Sequence, residues 1–390
     1  MAEWLKTSLI DIVELIGGGT PKTSKAEYWG GNINWLSVKD FNNENRYVYS
    51  TEKTITEEGL NNSSTKLLRK DDIIISARGT VGELAMIPFP MAFNQSCYGI
   101  RAKDGINSTF LYYLIKHSVR KLKAMTHGSV FDTITRDTFA NIEVAIPDIE
   151  TQQRVAKMLA DIDDKVENNQ RINNNLEQQA QAIFSNEFLT LEALPDGWKQ
   201  ASLIDIADYL NGLAMQKYRP TADETGIPVL KIKELRQGCC DDNSELCSPN
   251  IKSEYIIHDG DVIFSWSGSL LVDFWCGGIC GLNQHLFKVT SNKYDKWFYY
   301  AWTKHHLDRF IAVAADKATT MGHIKRDELS KAEVLIPNEA DYKRIGALLQ
   351  PIYDLIIANR IENKELAETR DTLLPKLMSG EIDISEVDYE

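Results

Sequence analysis

Two long stretches of the chain carry apolar residues at alternating spacings of four and three, which is typical of helices that pack along a continuous seam. The pattern runs from Val155 to Ile183 and again from Ile345 to Leu373. Each stretch follows an Ile-Pro dipeptide, ending at Pro147 or Pro337, after which a helix can begin. The pattern therefore predicts one long helix after each proline.

Two asparagines occupy matching seam positions in both stretches: Asn169 and Asn173 in the first, Asn359 and Asn363 in the second. A seam asparagine lowers stability but fixes the register, because mispairing would bury an amide without a partner. The coincidence favours two helices that pair with each other over two unrelated amphipathic helices, each packed on its own domain. An antiparallel pair would form a rod about 55 Å long, which would act as a ruler between two globular parts related by a pseudo-twofold axis.

A segment of about 150 residues precedes each predicted helix and mixes short β-type runs with helical spacing. The β-type runs cover residues 33–38, 71–76 and 141–147 in the first segment, and 228–234, 261–266 and 331–337 in the second. Residues 110–125 and 296–314 carry apolar positions at helical spacing. Each segment is therefore expected to be α+β.

The two segments are copies of one unit. SLIDI occurs at 8–12 and at 202–206, DDIIISARGT (71–80) parallels GDVIFSWSGS (260–269), and VAIP (144–147) parallels VLIP (334–337). The shared order of these matches, with a drifting offset, indicates a duplicated domain whose loops gained or lost residues. The predicted fold is α+β with two repeated domains at 1–147 and 191–337, and two helices pairing as an antiparallel coiled coil at 148–190 and 338–380. An acidic tail is predicted at 381–390.

Composition narrows the class of protein. A hydrophobic content of 43% and a charged content of 25% are those of a globular protein. We predict no signal peptide and no apolar run of the roughly 20 residues that span a bilayer, and hence no membrane association. Five of the six cysteines lie between Cys239 and Cys280 without a recognised metal-binding spacing, so idle reduced thiols and a cytoplasmic protein are expected.

Nearly the whole chain resembles the specificity subunits of Type I restriction-modification systems. The resemblance rests on ELIGGGTPKTSKAEYWGGNINWLSVKD, DDIIISARGTVGELAMI, VAIPDIETQQRVAKML and RDTLLPKLMSGEI, and on the alternation of recognition domain and helix. It implies a subunit that recognises double-stranded DNA at a bipartite target, one half per target recognition domain. The second copy has LNGLAMQKYRP where the first has IGGGTPKTSK, so the two halves are expected to differ and the target to be asymmetric.

The resemblance also implies partners and cofactors. Two modification subunits that methylate adenine would dock on the helices, and restriction subunits that cut and translocate DNA would join through them. S-adenosylmethionine, ATP and Mg are then expected on those partners and no cofactor on this chain. Within the chain we find no phosphate-binding loop GxxxxGK[ST] and no Asn/Asp-Pro-Pro-aromatic motif, and we predict no catalytic residue and no metal site.

The net charge of −13 is unusual for a DNA-binding protein, since neutralising phosphates supplies most nonspecific affinity. The first 150 residues are nearly neutral, with 17 basic and 18 acidic side chains. We therefore expect weak DNA binding by the chain alone, with partner subunits supplying much of the phosphate contact.

Candidate DNA-contacting residues are polar or basic side chains on predicted loops, where bidentate donors and acceptors can reach base edges. In the first copy they are Lys22, Thr23, Lys25, Lys39, Ser76, Arg78, Gly79, Thr80, Asn94, Gln95, Ser96, Gly128 and Ser129. In the second they are Lys217, Arg219, Lys233, Ser265, Ser267, Asn283, Gln284, His285, Lys317, Thr319 and Thr320.

Arg78, which faces Ser267 in the other copy, is the strongest candidate for reading a base. Lys39 and Lys233 occupy matching places and suit phosphate contact or a solvated strand edge. The Asn-Gln pairs are shared by domains that should read different sequences, so a structural turn is as good an interpretation for them as DNA contact.

Other functions stay open from the sequence. A related system in which one partner polypeptide combines modification and cleavage would use the same kind of subunit. An adaptor built on the coiled coil, without a nucleic-acid role, would suit the acidic charge. A standalone nuclease or methyltransferase is disfavoured by the missing motifs.

Overall fold

The computed structural model describes residues 4–43, 45–125, 133–316, 326–382 and 384. The chain divides into two compact units: unit 1 comprises residues 1–167 and 366–390, and unit 2 comprises residues 168–365. Both divisions fall inside a long helix.

Unit 1 contains short strands and helices. Its strands are β1 (Leu5–Ser8), β2 (Val13–Gly17), β3 (Trp29–Leu36), β4 (Lys53–Ile55), β5 (Leu67–Leu68), β6 (Ile73–Ser76), β7 (Leu84–Met86), β8 (Met91–Phe93), β9 (Cys97–Ala102) and β10 (Glu143–Ile146). Its helices are α1 (Val38–Phe41), α2 (Glu57–Asn61), α3 (Ser108–Met125) and α4 (Arg136–Asn141). The 36-residue helix α5 (Ile149–Phe184) begins in unit 1 and continues into unit 2.

Unit 2 repeats this composition. Its strands are β11 (Lys199–Ser202), β12 (Asp208–Asn211), β13 (Ile227–Leu230), β14 (Leu246–Cys247), β15 (Ile256–Ile257), β16 (Val262–Ser265), β17 (Leu271–Phe274), β18 (Cys280–Leu282), β19 (Leu286–Thr290) and β20 (Glu333–Ile336). Its helices are α6 (Leu203–Ile206), α7 (Ile232–Gln237), α8 (Lys296–His305), α9 (Leu307–Asp316) and α10 (Arg326–Ser330). The 40-residue helix α11 (Glu339–Met378) begins in unit 2 and ends in unit 1.

The sheets of the two units have the same topology. In unit 1 the strand orders are β2-β9-β6-β7, β4-β3-β8-β5 and β1-β10. In unit 2 they are β12-β19-β16-β17, β14-β13-β18-β15 and β11-β20. In each unit one parallel pair, β3 with β8 or β13 with β18, lies inside an otherwise antiparallel sheet. This identity confirms the α+β class and the duplication.

Some local expectations were wrong. Val38 was expected to end a strand but begins α1. Residues 232–234 were expected to continue a strand but begin α7, in which the carboxylate of Glu234 accepts a hydrogen bond from the backbone N–H of Lys231. The helix expected over 296–314 is divided at His306 into α8 and α9. There the ring Nε2 of the partly buried His306 lies 2.8 Å from the carbonyl oxygen of Glu333.

Each unit has its own apolar core. In unit 1, α3 lies against β7 and β9 and buries Phe110, Leu111 and Tyr112 completely or nearly so. In unit 2 the core is aromatic, with Phe298 and Trp302 of α8 packed against Phe188, and Trp302 also against Phe184. The packed cores hold the strands in place, and the polar loops that carry the candidate residues extend from the ends of these strands.

The long helices run antiparallel where they meet in unit 2. Asn169 donates to Asn363 at 2.9 Å, and Asn359 donates to Asn173 at 2.8 Å. The side-chain amide of Asn173 also donates to the carbonyl oxygen of Ile356 at 3.2 Å. Each seam amide thus has a partner on the opposite helix, which confirms the antiparallel pairing of the predicted helices.

In unit 1 the same two helices are joined by buried charges. The Asp163 carboxylate accepts hydrogen bonds from Arg370 of α11 at 2.8 Å and from the Tyr113 hydroxyl of α3 at 2.6 Å. Asp163 and Arg370 are both less than a tenth exposed. Asp371 pairs with Arg370 and with Arg120 of α3, so a continuous polar network connects three helices.

Among the described residues, no helix is long and apolar enough to cross a membrane.

Candidate nucleic-acid interface

A groove on unit 1 brings together six of the predicted DNA-contacting residues. It encloses about 410 Å³ and is lined at its base by Trp35. The predicted residues along it are Lys39, Arg78, Gly79, Thr80, Asn94 and Ser96. Three separate segments contribute them: α1, the loop after β6, and the loop between β8 and β9.

The loop after β6 exposes Arg78 to solvent because hydrogen bonds of a buried neighbouring residue fix the conformation of the loop. The Ser76 hydroxyl is fully buried, donates to the carbonyl oxygen of Thr80 at 2.5 Å, and accepts from the backbone N–H of Glu83 at 2.8 Å. Gly79 has a φ of +79°, a value that side chains with a Cβ rarely tolerate. Arg78, Gly79 and Thr80 are all exposed as a result.

The guanidinium of Arg78 is available for a ligand. Within the described part of the chain it forms no hydrogen bond or ion pair, and its backbone is fixed by a bridge to Thr133. A guanidinium held on a fixed backbone can donate two parallel hydrogen bonds to the O6 and N7 atoms of guanine. This geometry supports base contact by Arg78.

Two of the serines predicted as DNA contacts hold their loops instead. Ser76 and Ser265 are fully buried at matching strand ends, and the Ser265 hydroxyl donates to the carbonyl oxygen of Ser269 at 2.8 Å. Neither hydroxyl can reach a base edge without unfolding its loop. Burial therefore corrects the expectation of DNA contact at these two positions.

The asparagines of the Asn-Gln pairs form equivalent turns. The side-chain oxygen of Asn94 accepts from the N–H of Ser96 at 3.0 Å, and that of Asn283 accepts from the N–H of His285 at 3.2 Å. Each asparagine N–H also donates to the neighbouring strand, to Leu36 or Leu230. This geometry favours the structural interpretation for the asparagines, whereas Gln95 is exposed and Gln284 is partly exposed.

The loop before β3 carries the remaining candidates of unit 1. Lys22 and Thr23 are exposed, and a turn closes between the carbonyl oxygen of Lys22 and the N–H of Lys25. The Lys25 ammonium lies 3.5 Å from a carboxylate oxygen of Glu27 and 4.8 Å from the ring centre of Tyr28. Lys22 is thus the freer of the two cations.

Unit 2 presents different chemistry at the matching loop. The buried Ser267 hydroxyl, which takes the place of Arg78, lies 3.1 Å from Nδ1 of His285. Trp266 stacks on Phe287, with ring centres 5.6 Å apart, and its indole N–H donates to Asn211 at 3.0 Å. The half-exposed surface here consists of His285, Gln284 and Trp266 rather than a free arginine.

The predicted cations of unit 2 are mostly paired within the chain. Arg219 lies 3.0 Å from Glu245, and Lys233 lies 3.0 Å from Asp241, whose hydrogen-bonded carboxylate raises the pKa of the lysine. Lys217 ends a short 3₁₀ turn at Met215–Lys217. Gly128, Ser129, Lys317, Thr319 and Thr320 lie outside the described residues.

Sequence reasoning missed part of the groove. Lys53 and Glu52 line it because β4 pairs with β3 in a register that places Lys53 opposite Trp35. Asp40 is also present, and its carboxylate accepts from the backbone N–H of Ser37 and of Glu52, each at 2.7 Å. The spacing of Ser37 and Asp40 is a signal for the start of a helix that can be recognised in the sequence. No sequence pattern near Glu52 indicates that this residue lines the groove.

Lys39 and Lys233 form a matched pair for testing phosphate contact. Each is the second residue of a short helix that follows a strand, α1 or α7, but among the described residues only Lys233 has an ion-pair partner. If Lys39 contacts a phosphate, Lys39→Ala is expected to reduce the slope of log K for DNA binding against log [salt] by about 0.9, the value for one phosphate contact.

Lys233→Ala is expected to change that slope less, because Asp241 already neutralises the ammonium. Binding isotherms on one duplex at several salt concentrations measure both slopes. An equal change for the two variants would contradict the distinction between a free and a paired lysine.

Comparisons with known proteins identify the family to which this chain is similar. The Type I restriction modification DNA specificity domain matches residues 1–178 and again 195–368. The specificity subunit of the type I restriction enzyme MjaIX from Methanocaldococcus jannaschii is 30% identical over 413 residues, covering 99% of this chain and 95% of that protein. The EcoR124I/EcoR124II specificity subunit from Escherichia coli is 31% identical over 169 residues, 41% of each chain.

A solved structure shares the fold. The crystal structure of the type I restriction-modification system S subunit from M. genitalium superposes with a TM-score of 0.58 at 15% identity, over 97% of this chain and 96% of that one.

Each of the two matched segments contains one α+β unit and most of the long helix that follows it. The chain belongs to the type I restriction modification DNA specificity family. Its role is DNA specificity.

Proposed function

We propose that the chain is the specificity subunit of a type I restriction-modification complex and recognises an asymmetric bipartite target in double-stranded DNA, one half-site per unit. The observation that carries this proposal is the contrast at one matched loop. Both units share a strand order, yet unit 1 offers the exposed Arg78, which has no ion-pair partner among the described residues, where unit 2 has the buried Ser267 bound to His285. Different side chains on the same scaffold suit two different half-sites.

We further infer that the chain performs no chemical step itself. Two modification subunits would methylate adenine with S-adenosylmethionine, and restriction subunits would use ATP and Mg, all in the cytoplasm. The exposed Leu348 and Leu355, one heptad apart on α11, support docking of a partner on the helices.

Sequencing the methylome of cells that express the chain with its cognate modification subunit tests this function. The expected result is one split motif with N6-methyladenine in each half, which disappears when the gene for this chain is deleted. The same motif is expected whether modification and cleavage reside on separate partners or on one polypeptide. An unchanged methylome, with the modification subunit shown to be active, would overturn the specificity role and favour an adaptor.

A further inference from the structure

Two cysteines of unit 2 lie in direct contact although they are 40 residues apart in the chain. Cys240 belongs to the loop that follows α7, and Cys280 opens β18. Their sulfur atoms are 3.5 Å apart, about the distance of van der Waals contact. All six cysteines of the chain are free thiols in this structure. A disulfide needs the sulfurs to approach to about 2.05 Å, a movement that a loop residue can accommodate.

The two thiols differ in access. Cys240 is partly exposed, whereas Cys280 is fully buried beneath it. The two sulfurs lie within hydrogen-bonding distance of each other, and the Cys280 S–H can donate to the carbonyl oxygen of Gly278 at 3.6 Å. An oxidant in solution therefore reacts with Cys240 first, and the oxidised Cys240 sulfur is then in contact with Cys280.

Their environments also separate them in acidity. The hydrogen bond between the two thiols lowers the pKa of Cys240, although burial and the carboxylates of Glu234 and Asp241 act in the opposite direction. The same hydrogen bond, together with burial, raises the pKa of Cys280. A partly exposed thiol whose pKa is lowered, in contact with a buried thiol whose pKa is raised, is the usual arrangement of an attacking and a resolving cysteine.

We propose that Cys240 and Cys280 form a peroxide-sensitive thiol pair that closes to a disulfide inside unit 2. The Cys240 thiolate attacks one oxygen of hydrogen peroxide, the O–O bond breaks, and hydroxide leaves, which gives a sulfenic acid at Cys240. The Cys280 sulfur then attacks the sulfenic sulfur and releases water, with the Cys280 proton completing that water. Two thiols are oxidised by two electrons, and one peroxide is reduced.

The remaining cysteines provide controls. Burial raises the pKa of Cys276 to about 11 and that of Cys97 to about 12, so both stay protonated and shielded. Cys247 is also buried, and burial raises its pKa. Cys239 precedes Cys240 in the same loop and is similarly accessible, but its sulfur is bound by the side chain of Gln237 at 3.4 Å.

The disulfide would connect two segments that carry predicted DNA contacts. Cys240 follows the helix of Lys233, and Cys280 lies three residues before Asn283. Fixing the end of α7 to β18 would restrict both loops of unit 2 and leave unit 1 unchanged. The thiol chemistry itself does not depend on the proposed DNA function.

The test treats the full-length native chain with hydrogen peroxide, blocks the remaining thiols, and maps the peptides by mass spectrometry without reduction. The expected product is a peptide pair linked through Cys240 and Cys280, 2 Da lighter than the two thiols, and recovered as separate peptides after dithiothreitol. The matched variant Cys239→Ser is expected to form the same linked pair. In Cys280→Ser the linked pair should disappear, and a sulfenic acid at Cys240 should become trappable by dimedone.

A second variant keeps the test independent of the folding of Cys280→Ser, which alters a buried site. Cys240→Ser, at the partly exposed position, should lose the linked pair and leave Cys280 as an unmodified thiol. Three results would overturn the proposal: a linked pair that uses Cys239, oxidation of Cys240 only to sulfinic acid in the native chain, or no reaction at Cys240 with peroxide in excess.

Discussion

Replacing Asp163 by alanine is expected to reduce the free energy of unfolding of unit 1 by about 3–5 kcal/mol, the usual cost of removing one partner from a buried ion pair. The variant would leave the Tyr113 hydroxyl and one face of the Arg370 guanidinium buried without their acceptor. Burial, and next the charge of Asp163, raises the pKa of Tyr113, so its hydroxyl stays a donor. Because Arg370 keeps Asp371 as a partner, the lower end of the range is expected.

Native-state hydrogen exchange read on peptides of residues 45–119 would measure this loss. The matched control is Asp161→Ala on the same helix, where an exposed carboxylate pairs with Lys157 at 2.7 Å and contributes about 0.2–0.5 kcal/mol. The double variant Asp163→Ala with Arg370→Met should recover part of the loss, since it removes both charges. Equal protection in the two single variants would show that the buried network does not stabilise unit 1.

Replacing Arg78 by alanine is expected to weaken binding of the assembled complex to its cognate DNA by about 1–3 kcal/mol, or roughly 5- to 150-fold, if the guanidinium contacts a base in two places. Affinity for unrelated DNA should change much less, because one exposed cation contributes little to phosphate neutralisation as a whole. One base position of the half-site read by unit 1 should become degenerate. The half-site read by unit 2 should keep its sequence.

Titrations with cognate and scrambled duplexes, and the methylome of cells carrying the variant, give these quantities. Arg69→Ala serves as the control, since Arg69 is also exposed but precedes β6, whereas Arg78 follows that strand. A uniform loss on both duplexes for Arg78→Ala would assign the residue to phosphate contact instead of base recognition. A change confined to the other half-site would overturn its placement.

The architecture could be predicted because its signals are local or repeated. A heptad pattern is visible within one continuous stretch of sequence. The seam asparagines, among them Asn169 and Asn363, indicated which two helices pair. The duplicated strings supplied a second example of each predicted β-type run, so DDIIIS and GDVIFS supported each other. Weak β-type runs that would be ambiguous alone became reliable in two copies.

The site was predicted less well because exposure changes from one residue to the next. Ser76 and Arg78 are two positions apart, but the first hydroxyl holds the loop and the second side chain faces solvent. Lys53 enters the groove through the strand register opposite Trp35, which depends on a shift of register between Trp29 and Ile33. The contact of Asp163 with Arg370 joins residues 207 positions apart, and a single sequence holds no signal for it.

The way the chain is divided has a consequence for its synthesis. Unit 2 is one continuous stretch, residues 168–365, whereas unit 1 needs residues 366–384 to complete its core and to supply Arg370. On the ribosome, unit 2 can close as soon as residue 365 emerges, but the earlier-made part of unit 1 has to wait with the Asp163 carboxylate still lacking its arginine. The domain that is translated first is therefore the one that finishes folding last.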